Sequence, residues 1–129
     1  MPITHTLEYQ WRSSNGSNDT QPVTKSGDGE TILQLAIADG VTDQLVTIAI
    51  DLSELESLYI LSDQAVTIET NNGAAPADTF SMLADTPLVW HSTDYHANPL
   101  SVDVAALYIT NASGSTANID IRVLQDTTP

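Results

Sequence analysis

No cysteine occurs among the 129 residues, so disulfides, thiolate metal ligands and cysteine nucleophiles are excluded together and the fold must rest on apolar packing. Positive charge is almost as scarce: Arg12, Lys25 and Arg122 stand against 17 acids, giving a net charge of −14. Three scattered bases cannot provide the clustered cations that release counterions from phosphate, so nucleic acid is not an expected partner. A membrane is not expected either, because no stretch approaches the roughly 18 continuous apolar residues that a span needs. The start, Met1-Pro2-Ile3-Thr4-His5, has neither a basic flank nor an apolar run, which leads to the expectation of a protein made without an export signal.

What is present is alternation with a period of two and no sustained helical period. His5, Leu7, Tyr9 and Trp11 fall on one face of Thr4 to Arg12. Leu33, Leu35 and Ile37 form one face of the next clear segment, and Val46, Ile48 and Ile50 one face of the segment after it. Turn-rich runs separate such segments at the 8 to 12 residue spacing expected of a sandwich or barrel. About eight to ten short strands result, with no βαβ alternation. The expected fold is all-β: one domain over residues 1–129 made of two packed antiparallel sheets, a jelly roll or an immunoglobulin-like Greek key. Two stretches repeat a pattern of connector, Leu-Tyr-Ile, polar turn and alternating strand. One runs from Asp51 through Leu58-Tyr59-Ile60 to Val66-Thr67-Ile68-Glu69, the other from Asp103 through Leu107-Tyr108-Ile109 to Ile119-Asp120-Ile121-Arg122-Val123. Each is expected to form a strand pair about its turn, and Ser53 to Ser57 to make one helical turn in a connector between sheets. Trp11, in an alternating strand, is expected in the core.

Chemistry is thinner than architecture. Asp39-Gly40, Asp43 and Asp28-Gly29-Glu30 offer oxygen donors, but none fits a twelve-residue calcium loop, and turn-forming aspartate is the simpler reading. His91, Asp94, Tyr95 and His96 cluster beside Trp90, yet without the helical His pair and intervening base of a catalytic zinc site. Serine and threonine abound without a Gly-flanked nucleophile elbow. No catalytic residue, metal ligand or cofactor is therefore assigned. Asn15, Asn18 and Asn111 begin glycan acceptor triplets, a pattern relevant only to a eukaryotic secreted chain.

The strand Leu107-Tyr108-Ile109-Thr110-Asn111, the small polar turn after it and the run Ile119 to Asp126 resemble the small acidic β-sandwich proteins among tailed-phage virion components. The resemblance extends loosely over Asp51 to Asp126, with Ile68-Glu69-Thr70-Asn71 and Pro87-Leu88-Val89-Trp90, and is one of cadence. It implies a non-enzymatic capsid decoration, or cement, protein that binds the major capsid protein on the outside of a phage head. Such proteins bridge capsomers, often as trimers, and the chain would be assembled in the host cytoplasm. A net negative surface independently suits a position away from packaged DNA.

Partner-facing residues are sought where segments order on docking. They are Pro2, Ile3 and Thr4 of the N-terminal segment (Pro2 to Thr6), Trp90, His91, Tyr95 and His96 of the Trp90 to His96 loop, and the tail Gln125 to Pro129. A different class of function, a carbohydrate-binding or adhesion module, would use the same sandwich with Trp90 and Tyr95. A small lyase or hydrolase on a jelly roll would need His and carboxylate groups gathered inside it.

Overall fold

A computed structural model describes residues 2–128. Each alternating segment is a strand, and there are ten among the described residues: β1 (Ile3–Arg12), β2 (Asn18–Gly27), β3 (Gly29–Ile37), β4 (Gln44–Ile50), β5 (Leu55–Ser62), β6 (Val66–Thr70), β7 (Thr79–Met82), β8 (Leu88–His91), β9 (Val104–Thr110) and β10 (Ala117–Gln125). All pairings are antiparallel. Among the described residues no helix is long and apolar enough to cross a membrane.

The last eight strands form two four-stranded sheets, ordered β3-β10-β5-β8 and β4-β9-β6-β7. Their pairing is nested: β3 with β10, β4 with β9, β5 with β8 and β6 with β7. An antiparallel ribbon rolled on itself brings β10 beside β5 and β9 beside β6, as found. This winding is a jelly roll, not the immunoglobulin alternative. Between the sheets, the inward residues of each strand interdigitate. Ile60, Ile68, Ile109 and Ile121 are all buried there, and Leu33, Leu35, Ile37, Val46, Ile48 and Ile50 face this layer as their alternation requires.

The repeated stretches are real, but their strands do not pair within a copy. β5 and β6 lie in different sheets, as do β9 and β10. Each copy crosses the sandwich, and the copies pair with each other. Ile60 faces Ile121 and Tyr59 faces Arg122 in one sheet, while Ile109 faces Ile68 and Tyr108 faces Glu69 in the other. The same pairing in both sheets relates the copies by an approximate two-fold axis through the core. Alternation fixes which side of a strand is buried but not which strand lies next to it, which is why the sequence misleads on pairing. The connector from Asp51 does cross between sheets, but by a turn at Leu52 to Glu54, with Leu55 to Ser57 already extended in β5 rather than helical.

β1 and β2 form a separate two-stranded sheet. β2 is far longer than the few residues around Pro22 that its composition advertises. Ser13 N–H donates to the Ser17 carbonyl at 2.8 Å and Gly16 N–H to that of Ser13 at 3.1 Å, with Gly16 at φ 98°. That left-handed position after a tight turn suits glycine and closes the hairpin.

Candidate functional site

The outer face of the sheet β3-β10-β5-β8 carries a transverse row, set by register, of Glu30, Leu124, Ser57 and His91. The β1–β2 arm lies over it. His5, on the buried side of β1, places Nδ1 2.8 Å from Ser57 Oγ and Nε2 2.6 Å from Glu30 Oε2. Both ring nitrogens are thereby engaged, one by a hydroxyl that can donate or accept and the other by a carboxylate that accepts. Gly27, at the arm's root, packs so closely that an added Cβ would stand 2.3 Å from the Gln125 carbonyl oxygen and 3.2 Å from Leu124 Cδ1. Leu124 is consequently fully buried although it points away from the core.

Four residues beyond His5, the Tyr9 ring lies 6.1 Å from that of His91. Four strand residues span about 13 Å and neighbouring strands lie about 4.8 Å apart, so β1 runs across the sheet toward β8 rather than along it. Trp11 is carried past that edge and is 64% exposed, not in the core. It shares a face with Leu7 and Tyr9, but that face outruns the sheet beneath it. Burial, and then the Asp94 carboxylate, raise the pKa of the Tyr9 hydroxyl above its ordinary value.

One outward row further along the sheet, Ile32, Arg122, Tyr59 and Val89 make the floor of a groove of about 900 Å³ walled by Thr4 to Tyr9 of β1. Arg122 is held by Asp120, Nη2 to Oδ2 at 3.0 Å. The groove therefore has an apolar floor broken by one paired cation, and a wall of extended backbone.

Of the residues singled out by sequence, Pro2 is exposed, Ile3 is half-buried opposite Gly27, and Thr4 lines the groove. Trp90 is half-buried against the core, with its indole N–H donating to the His96 carbonyl at 3.0 Å. His91 is buried, with Asp94 Oδ2 3.8 Å from its Nε2. Tyr95 is 98% exposed, edge-on to the exposed His96 ring. The Trp90 to His96 loop is reached by Tyr9, further along β1, and not by the segment Pro2 to Thr6. The tail is tied back instead: Gln125 Oε1 accepts from Asp51 N–H at 2.8 Å, and Asp28 accepts from the Thr127 N–H and hydroxyl. Pro129 lies outside the described residues.

His5, Ser57 and Glu30 had no signal in the sequence, since nothing in their spacing announces that three strands will bring them together. Their order is hydroxyl, imidazole, carboxylate, but Ser57 is 3% exposed beneath the arm. There it fastens β1 to the sheet instead of meeting a substrate carbonyl. The aspartates considered for calcium go to separate partners: Asp28 to Thr127, Asp39 to Gly114 N–H, and Asp43 to Thr110. Among the described residues, no three His, Asp or Glu side chains gather as a metal-holding group. Asn111 is fully buried, with its amide spent on the Ile37 and Ser115 carbonyls, so this acceptor triplet is closed to a glycan.

No protein-family model matches the chain, and neither the curated proteins nor the solved structures yield a match.

Proposed function

We propose that this chain is a non-enzymatic virion structural protein, a capsid decoration protein that attaches to the major capsid protein on the outer face of a phage head and bridges capsomers. The observation that carries the reading is the arm. A two-stranded sheet with ten-residue strands is more than the jelly roll needs to close, and it carries Trp11 into solvent beyond the part-exposed Tyr9. Exposed aromatics on an extended element are the residues that anchor protein contacts. Charge distribution supports the same reading: residues 3–27 carry Glu8 and Asp19 against Arg12 and Lys25, so the whole net charge of −14 rests on the remainder. A neutral arm approaches a partner while the acidic body keeps neighbours and nucleic acid away.

The test is to mix the purified protein with undecorated phage heads assembled from a major capsid protein, and to sediment them. Stoichiometric co-sedimentation, weakened at least tenfold by Trp11→Ala, is expected. No binding at micromolar protein would overturn the proposal. The fully exposed Tyr95 favours a second reading, a carbohydrate-binding module. Saturable binding on a glycan array that is lost in Tyr95→Ala would establish it instead.

A further inference from the structure

The arm has two outer edges, and the chain treats them differently. Ser13 N–H points inward to the Ser17 carbonyl, which in an antiparallel ladder turns the backbone groups of the odd-numbered residues of β1 toward β2. The backbone groups of Thr4, Thr6, Glu8, Gln10 and Arg12 therefore point outward. Pro22, opposite Glu8, agrees: lacking an N–H, it fits where β2 faces outward, and it blunts that edge. The β1 edge has no such interruption. It is an open template for strand addition, and a two-stranded sheet alone is marginal in water.

We infer that the β1 edge pairs with the β1 edge of a second copy of this chain, antiparallel about a two-fold axis at Gln10. Charge selects both the occupant and the register. Outward groups must meet outward groups, so even residues oppose even residues. An axis at Glu8 or Arg12 sets like charges face to face. An axis at Gln10 sets Glu8 opposite Arg12 of the second copy twice over, and on the other face sets Tyr9 opposite Trp11 twice. Opposite charges and aromatic pairs directly across a ladder are both stabilising. The overlap lies at the arm tip, starting where Tyr9 stands over His91 at the β8 edge. A contact of about five residues per chain is small, so the expected dissociation constant is in the micromolar range. This contact joins copies in pairs and leaves any three-fold contact to other surfaces. It does not depend on what the protein decorates.

Because the chain has no cysteine, one engineered thiol reports on the contact cleanly. Residues facing each other as a hydrogen-bonded pair have Cα atoms about 5.5 Å apart, within disulfide range. Under mild oxidation Gln10→Cys is expected to give a covalent dimer at least tenfold faster than Thr24→Cys on the blunted edge. Sedimentation equilibrium at about 100 μM should show a dimer that Glu8→Arg weakens at least tenfold and the added Arg12→Glu restores. A monomer at that concentration, equal cross-linking at the two positions, no rescue by the second substitution, or a trimer that Gln10→Cys does not cross-link would each overturn the inference.

Discussion

Aspartate is this chain's loop fastener. Asp39 accepts from Gly114 N–H, Asp63 from Asn118 N–H, Asp78 from Ser101 N–H and Asp103 from Leu52 N–H. Hydrogen bonds to the ionised form favour it, and they lower the pKa values of Asp28, Asp51 and Asp63 from the ordinary 3.8 through Thr127, Ser53 and Asn118 respectively. A carboxylate with a lowered folded pKa gives stability that is complete above its unfolded pKa and is lost as pH falls through the folded one, because the unfolded chain then binds more protons. Thermal denaturation from pH 7 to pH 2 should therefore show stability falling as pH drops below about 4. Glu69 has the opposite sign: burial and then Asp43 raise its pKa, so its charge disfavours the native state near neutrality. Glu69→Gln should raise the Tm at pH 7 by calorimetry. Asn111 is a neutral fastener of the same kind. Its side chain bonds the Ile37 and Ser115 carbonyls, each at 2.8 Å, and accepts from Ser113 N–H at 3.0 Å. Asn111→Ala, which strands these buried groups, should cost about 2–3 kcal/mol in urea denaturation.

At the scale of elements, the arm is fixed by few contacts, and each is separable. A Cβ at Gly27 meets backbone that cannot move aside, so Gly27→Ala should lift the root at a cost of about 1–3 kcal/mol. His5→Ala removes both side-chain bonds to the sheet. In either variant, hydrogen exchange should quicken across residues 3–27 and stay unchanged in β9 and β10; an unchanged arm would show that these contacts do not hold it. Strands were readable in the sequence because inward Ile119, Ile121 and Val123 alternate with outward Asn118, Asp120 and Arg122. The arm was not. Its Leu7, Tyr9 and Trp11 alternate in the same way, and alternation does not record that the surface below ends at β8. The pin of His5, Ser57 and Glu30 was hidden for a related reason, since it depends on a β1 path across the sheet that no local pattern encodes. The contact of Tyr9 with His91 was hidden for the same reason.

Over the whole molecule, two crossing copies of one strand motif supply the central four strands, and the edge strands complete the roll around them. Ile68 and Ile121, both fully buried and each paired with an isoleucine of the other copy, sit at equivalent places in the two sheets. Ile68→Ala and Ile121→Ala should each cost about 3–4 kcal/mol, by similar amounts, as the approximate two-fold axis implies. Chemical denaturation of the two variants measures this directly. Around that core the body carries the net negative charge, and the neutral arm carries Trp11 into solvent, so the proposed function assigns attachment to the arm and like-charge repulsion to the body. Hydrogen exchange of the protein, free and bound to undecorated heads, tests that division most directly. Protection gained across residues 4–12 with the outer face of β4-β9-β6-β7 unchanged is expected; protection gained on that face, with the arm exchanging as in the free protein, would contradict it.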